Sequence, residues 1–110
     1  MIKRFVILRR KPTISVEQFR HYWKNVHGPL IAKIPGLRKY TQYHVRSELL
    51  DDTDNPIDGI AELWFDSEEA QKVAYATPEY AAVVADESNL FAMNSRFVHP
   101  VMTDCIVEIV

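Results

Sequence analysis

Three titratable residues of this sequence, His27, His44 and Glu62, have types and positions that suit acid–base chemistry. His27 follows Trp23 by four residues, which places it at the edge of an apolar helix face. An imidazole in that position could take up or release a proton near neutral pH. The structural alternative is a helix-end histidine that bonds a free carbonyl or packs against Pro29. Spacing alone favours the structural alternative for His27.

Glu62 and His44 are predicted to share one face of two neighbouring strands. A carboxylate that lies among apolar groups has a raised pKa, so Glu62 could act as an acid or orient a histidine. An equally good interpretation is that Glu62 forms a salt bridge to a basic residue on a solvent-exposed face of the sheet. For His44, an exposed strand position is the favoured interpretation.

Aromatic residues near these groups could stack on a planar substrate and orient it through hydroxyl or indole N–H groups. The candidates are Tyr22, Trp23, Tyr40 and Trp64. Trp23 has the spacing of a core residue. Tyr22, Tyr40 and Trp64 are therefore predicted to bind the substrate, the last two as walls of the pocket.

Apolar periodicity and turn signals divide the chain into strands and helices that would position these residues. Ser15 and Gln18 have the spacing of a capping box at the start of the first helix, and Gly28-Pro29 indicates a break or a kink within that helix. Thr77 before a proline indicates a fresh start within the second helical segment. The predicted elements are a strand over residues 2–10, a helix from residue 16, strands over 37–46 and 59–65, a broken helical segment over 67–85 and an extended segment over 96–110, with a polar loop over 47–56.

This order predicts one α+β domain over residues 1–110, with a ferredoxin-like βαββαβ fold. Four antiparallel strands would form the sheet, and both helical segments would pack on one of its faces. Alternation along the third strand places Ala61, Leu63 and Phe65 under the helices and Glu62 on the other face.

The helix-free face of the sheet is predicted to carry Tyr40, His44, Ile60, Glu62 and Trp64, a mixture of aromatic and polar groups. Apolar walls with a few hydrogen-bonding groups are typical of ligand pockets. A chain of 110 residues has little interior for a closed cavity, so a second copy is expected to cover this face by two-fold symmetry. The prediction is a homodimer, in the form of a dimeric α+β barrel, with a small-molecule pocket between the helix-free faces.

The composition argues against several classes of function. The 15 acidic and 13 basic residues give a formal net charge of −2, which does not suit nucleic-acid binding. Cys105 is the one cysteine and the four histidines lack ligand spacing, so neither an internal disulfide nor a metal site is expected. The sequence has no apolar run of membrane-spanning length and no signal-peptide pattern, so a cytoplasmic protein without membrane contact is expected.

Five sequence blocks, in matching order and spacing, resemble the EthD family within the dimeric α+β barrel superfamily. They cover most of the chain and are Tyr22-Trp23, Val26-His27-Gly28-Pro29-Leu30, Ile34-Pro35-Gly36-Leu37 leading into Tyr40, DGIAELWFDSEEA over residues 58–70, and Thr77-Pro78-Glu79-Tyr80.

The resemblance implies a homodimeric barrel without a metal or organic cofactor, in which His27 matches the helical histidine of the family pattern. Similar proteins include a methylmuconolactone methylisomerase and dehydratases or decarboxylases of aromatic polyketides. The leading prediction is a cofactor-independent isomerase or lyase that acts by proton transfer on a small cyclic or aromatic intermediate of catabolic or polyketide type. His27 would be its acid–base group and Glu62 a polar partner. The alternatives are a non-catalytic dimeric binding or accessory protein for a hydrophobic metabolite, and a cofactor-free monooxygenase of the same superfamily.

Overall fold

The computed structural model describes residues 1–46, 57–91, 98–103 and 107–110. The predicted loop over residues 47–56 and Cys105 lie outside the described residues. The elements, in chain order, are β1 (Ile2–Leu8), α1 (Val16–Tyr22), a π-helical turn (Trp23–His27), α2 (Gly28–Ala32), β2 (Lys39–His44), β3 (Gly59–Phe65), α3 (Glu68–Tyr75), α4 (Pro78–Asp86), a 3₁₀ turn (Glu87–Asn89) and β4 (Val98–Thr103).

The strands form one antiparallel sheet in the order β2-β3-β1-β4. The two central strands are β1 and β3, which pair over their full lengths from Ile2 opposite Phe65 to Leu8 opposite Gly59. The predicted α+β architecture, with its order of strands and helices, is confirmed.

The buried apolar side chains of β3 are Ala61, Leu63 and Phe65, and they face the helices as the sequence predicts. The register between β2 and β3 places Tyr40 opposite Leu63 and Gln42 opposite Ala61. Residues directly opposite each other in a ladder point to the same side of a sheet. Tyr40, Gln42 and His44 therefore lie on the helix side of the sheet.

The prediction that Tyr40 and His44 share a face with Glu62 is consequently wrong. Alternation along one strand determines which of its residues share a face. The register between two paired strands determines which residues of the second strand lie on that same face. In this protein Thr41, not Tyr40 or His44, lies opposite Glu62 on the helix-free face.

Helix α1 begins as its sequence predicts. The Ser15 hydroxyl accepts a hydrogen bond from the Gln18 backbone N–H, and the Gln18 side chain accepts one from the Ser15 backbone N–H. This reciprocal pair satisfies two backbone donors that a helix start leaves unpaired. The helix buries Phe19 completely, and Trp23, the first residue of the following turn, is also fully buried.

A π-helical turn over Trp23–His27 takes the place of the predicted break or kink. Proline has no N–H to donate, and its ring clashes with the carbonyl four residues earlier in an α-helix. The Gly28 N–H instead bonds to the Trp23 carbonyl, and this wider turn admits Pro29. A Cβ on Gly28 would lie 2.7 Å from Gln42 Nε2 and 2.8 Å from the Trp23 carbonyl oxygen, so glycine is required there.

The second helical segment divides at Thr77, as predicted. The Ser67 hydroxyl caps α3 at the Ala70 N–H, and the Thr77 hydroxyl caps α4 at the Tyr80 N–H. Pro78 at the first position of α4 needs no hydrogen-bond acceptor and starts the new helix.

Gly59→Ala should destabilise the fold by about 1–3 kcal/mol, because a side chain would be forced into a filled core. A Cβ at this buried position would lie 2.7 Å from Trp23 Cζ3 and 2.8 Å from Cη2. Urea unfolding at one fixed protein concentration measures the cost. The same substitution in a Trp23→Phe background, which removes both atoms, should cost less; an equal cost in both backgrounds would contradict this packing.

Candidate active site

A cavity of about 60 Å³ lies between the helices and the sheet, open on one side to solvent. Leu8 and Leu63 of the sheet and Ile31 and Val83 of the helices are among its apolar walls. It is smaller than the roughly 300–1,000 Å³ of sites for drug-sized ligands and than the roughly 150 Å³ of an apolar cavity that holds benzene, so a bound ring would also occupy the part that is open to solvent. Within the described part of the chain, the titratable side chains in its lining are Arg4, His27, Tyr75, Tyr80 and Glu87.

This cavity is on the opposite side of the sheet from the predicted pocket. Of the predicted catalytic residues, His27 alone lines it. His27 is 3% exposed, and the π-helical turn places its imidazole between the helices and the sheet. The ring meets Phe91 edge to face, with 6.1 Å between centroids.

Asp86, the last residue of α4, holds the His27 ring. Its Oδ2 lies 2.9 Å from His27 Nδ1, and its Oδ1 accepts hydrogen bonds from the Tyr22 hydroxyl at 2.5 Å and from Asn89 Nδ2 at 2.9 Å. Burial raises the pKa of Asp86, but the bonds from Tyr22, His27 and Asn89 outweigh burial and hold the pKa below its usual value. Asp86 is therefore ionised at neutral pH and accepts from all three groups.

Burial lowers the pKa of His27, and the bond and charge of Asp86 offset only part of that effect. The imidazole is therefore neutral at neutral pH. Because an ionised carboxylate accepts hydrogen bonds, the proton of the neutral ring lies on Nδ1, toward Asp86. The lone pair of Nε2 is then the basic site that remains for a molecule in the cavity.

Tyr22, predicted to bind substrate, is bonded to Asp86 and is not among the described residues that line this cavity. Its hydroxyl donates to Asp86 Oδ1 and accepts from Asn89 Nδ2 at 3.0 Å. The hydrogen bond to Asp86 is the largest cause of a raised pKa of Tyr22, so the phenol stays protonated and keeps donating.

Tyr40 and His44 lie beside Trp23 and are not among the described residues that line the cavity. Gln42 Nε2 donates to the Tyr40 hydroxyl and to the Trp23 carbonyl, both at 2.8 Å, and burial raises the pKa of Tyr40 to about 12. The His44 ring lies 4.7 Å from the Trp23 ring, and its Nε2 is 2.9 Å from Gln42 Oε1. Burial, Arg20 and Lys24 together lower the pKa of His44.

Glu62 and Trp64 lie on the helix-free face, where their polar atoms satisfy each other. Glu62 accepts from the Tyr43 hydroxyl at 2.7 Å and from Trp64 Nε1 at 2.5 Å. The Tyr43 bond outweighs burial, and with Trp64 and two lysines it lowers the pKa of Glu62. The predicted raised pKa of Glu62 is wrong, because its apolar neighbours also carry hydrogen-bond donors. Glu62 does not reach the cavity of His27.

Sequence reasoning missed Asp86. It is 59 residues from His27 in the chain and belongs to no spacing motif, so only the packing of α4 against the π-helical turn identifies it.

Among the residues that the structure describes, no group of three or more histidine, cysteine, aspartate or glutamate side chains is placed to hold a metal ion. In the same residues, no helix has the length and apolar character needed to cross a bilayer.

Comparison with known proteins supports one family. The model of the EthD domain matches residues 11–94. An EthD family protein of Bacillus halodurans superposes with a TM-score of 0.73 at 21% identity, covering 96% of this chain and all of that one. A dimeric ferredoxin-like protein of unknown function from Thermobifida fusca has a TM-score of 0.67 at 18% identity, covering 94% and 90% of the two chains.

A third solved structure, a dimeric protein of unknown function and ferredoxin-like fold from Bacteroides fragilis, has a TM-score of 0.66 at 17% identity. The match covers 94% of this chain and 95% of that one. These likenesses identify the fold as ferredoxin-like. Among curated proteins, none matches the chain.

The pKa of His27 should lie below the usual value of a histidine, and Asp86→Asn should lower it further, because the aspartate charge favours the imidazolium. NMR titration of the imidazole measures both values. Asp66→Asn, which changes an exposed carboxylate bonded to Arg38, is the matched control and should leave the pKa of His27 unchanged. A rise in the Asp86→Asn protein would contradict the assignment.

The lowered pKa of His27 also predicts how acid changes the stability of the fold. The unfolded chain takes up a proton at His27 before the folded protein does, so the free energy of unfolding should fall as the pH drops below about 6.5 toward the folded-state pKa. His27→Asn should weaken this dependence in urea unfolding at a series of pH values. An unchanged dependence would show that His27 is not the group responsible.

Proposed function

Because the chain belongs to the EthD family, we propose that it is a cofactor-independent isomerase or lyase that moves a proton on a small cyclic or aromatic molecule. The observation that carries this proposal is the contact between buried His27, in the wall of the cavity, and the partly buried carboxylate of Asp86 behind it. A neutral histidine held by an ionised carboxylate is the arrangement that general-base catalysis requires. A cytoplasmic location is part of the proposal.

In the proposed reaction, Nε2 of His27 removes a proton from a carbon next to a carbonyl or a lactone group. The electron pair of the C–H bond moves into the substrate as an enolate, and the imidazole becomes an imidazolium. Asp86 stabilises that positive charge through the bond to Nδ1. The imidazolium then returns the proton to another atom of the substrate, for an isomerase, or to a leaving group, for a lyase.

The surroundings of His27 support this role. Apolar side chains around the His27 ring lower the local dielectric constant and strengthen the electrostatic interaction between the imidazolium and Asp86. The Tyr22 and Asn89 bonds hold Oδ1 of Asp86, which leaves Oδ2 directed at His27 Nδ1, so the base keeps one orientation. The small volume of the cavity favours a single ring over a fused polycyclic substrate.

A deuterium-exchange assay tests the proposal without knowledge of the product. The protein is incubated in D₂O with small cyclic acids, lactones and phenols, and proton NMR follows the loss of C–H signals. We expect exchange into at least one compound, and His27→Asn should slow it by about 10²–10⁴-fold, the usual contribution of a general base. Asp86→Asn should slow exchange less and shift its pH profile, whereas the matched Asp66→Asn should not change it.

Three outcomes would contradict the proposal. Exchange that survives His27→Asn would place the chemistry elsewhere. Binding of the compounds in the cavity without any exchange would favour the non-catalytic binding protein, and substrate-dependent oxygen uptake would favour the monooxygenase.

The proposed assembly is a homodimer that pairs the helix-free faces. Val101 and Tyr43 on this face are 46% and 47% exposed, and Phe5 and Ile60 lie beside them in the ladder. An apolar patch of this kind is typical of an interface. Two of the structural relatives are described as dimeric, which supports a dimer of this protein.

Sedimentation tests the dimer with a pair of exposed valines. Val101→Asp places a charge on the helix-free face and should convert the dimer to a monomer, because each copy would bury an unpaired carboxylate. Val73→Asp changes a valine on α3 that is 69% exposed and should leave a dimer. A dimer of the Val101→Asp protein, or a monomeric wild type, would contradict the proposed interface.

A further inference from the structure

The cavity contains a second polar group that the His27–Asp86 pair does not use. It consists of Arg4 on β1, Tyr75 on α3, Tyr80 on α4 and Glu87 in the 3₁₀ turn, and we call it the arginine cluster. All four residues line the same cavity as His27. Strand alternation places Arg4 on the helix side of the sheet, with Val6 and Leu8.

Among the described residues, the hydroxyls of Tyr75 and Tyr80 are the hydrogen-bond partners of the Arg4 guanidinium. Its Nη1 donates to the Tyr75 hydroxyl, and its guanidinium carbon lies 5.1 Å from the centre of the Tyr75 ring. Among the residues that the structure describes, no carboxylate lies within ion-pair distance of the guanidinium. A guanidinium has five N–H donors in a fork that fits the two oxygens of a carboxylate.

The two tyrosines form a rigid wall beside this guanidinium. The rings of Tyr75 and Tyr80 are stacked, with centroids 4.0 Å apart and planes inclined by 7°. Tyr75 also meets Phe65 edge to face at 5.7 Å, which ties the pair to the core. Burial raises the pKa of Tyr80, so its hydroxyl is protonated. Arg4 opposes that rise through its charge and a hydrogen bond, which places the Tyr80 hydroxyl beside the guanidinium.

Glu87 does not neutralise this site by contact. Burial raises the pKa of Glu87, and the opposing effect of Arg4 is smaller. The cavity thus holds a fixed positive charge, two phenol groups and a carboxyl group that burial pushes toward its neutral form. A cation in an apolar cavity is costly unless an anion accompanies it.

We propose that the arginine cluster binds the carboxylate of the substrate, so that the substrate is a small cyclic acid. The carboxylate would accept from the guanidinium and a tyrosine hydroxyl, while the ring lies between the apolar walls and presents a C–H bond to His27. This inference deepens the proposed function and rests on it for the identity of the reacting group. The anion site itself depends only on Arg4 and its neighbours.

The test compares benzoate with benzamide, which has nearly the same shape and no charge. Nitrogen–proton NMR follows the indole N–H of Trp23, a cavity residue, and that of Trp64, on the other face of the sheet, as an internal control. In the wild-type protein, benzoate should bind at least about tenfold more tightly than benzamide, as a charge-assisted contact predicts. Both ligands should shift the Trp23 signal and not the Trp64 signal.

Arginine variants assign that preference to one residue. Arg4→Gln should weaken benzoate binding by about tenfold or more and leave benzamide binding nearly unchanged, whereas Arg4→Lys should keep part of the preference. Arg38→Gln removes an exposed arginine that pairs with Asp66 and is the matched control. The wild-type comparison stands even if Arg4→Gln does not fold.

The outcomes separate this inference from the proposed function. Equal affinities of the two ligands in the wild type, absence of binding, or a benzoate preference that Arg4→Gln retains would overturn the anion site. If the His27→Asn protein still binds benzoate more tightly than benzamide, the preference comes from Arg4 and not from the imidazole. If benzoate is preferred but no cyclic acid exchanges deuterium, the anion site stands and the proposed proton transfer fails.

Discussion

The hydrogen bond between His27 Nδ1 and the Asp86 carboxylate joins the two helical segments on either side of the cavity. It depends on Pro29, which cannot continue an α-helix and is accommodated by the π-helical turn that carries His27. It depends equally on the end of α4, where Asp86 receives bonds from Tyr22 and Asn89. One carboxylate thus fixes the ring orientation, its tautomer and the distance between the segments.

The two faces of the sheet are specialised in different ways. The helix side carries the cavity, with Arg4 and His27 as groups that a bound molecule can use. The other side uses its polar atoms internally: Glu62 is bonded to Tyr43 and Trp64, and the ammonium groups of two lysines lie over the Trp64 ring. With Glu62 and Trp64 paired in this way, this side is suited to cover another apolar surface, whereas the cavity side presents Arg4 and His27.

Local signals in the sequence predicted the elements well. The caps at Ser15 and Thr77 and the extent of β3 follow from side chains within a few residues of each boundary. The cavity was harder to predict, because it depends on the pairing of β2 with β3 and on contacts between distant segments. Alternation showed which neighbours in its own strand share a face with Tyr40, and likewise for Glu62. It could not show whether Tyr40 and Glu62 lie on the same face of the sheet. Asp86 has no local signal, since its role arises only when α4 packs against the π-helical turn.

The proposed ligand is a small cyclic molecule that binds between the helices and the sheet, beside His27. A crystal structure of the protein soaked with a bromine-labelled benzoate tests it directly, because anomalous scattering locates the bromine. We expect the ring in the cavity of each protomer, with an atom in hydrogen-bond reach of His27 Nε2. A ring between two helix-free faces, beside Glu62 and Trp64, would contradict the account.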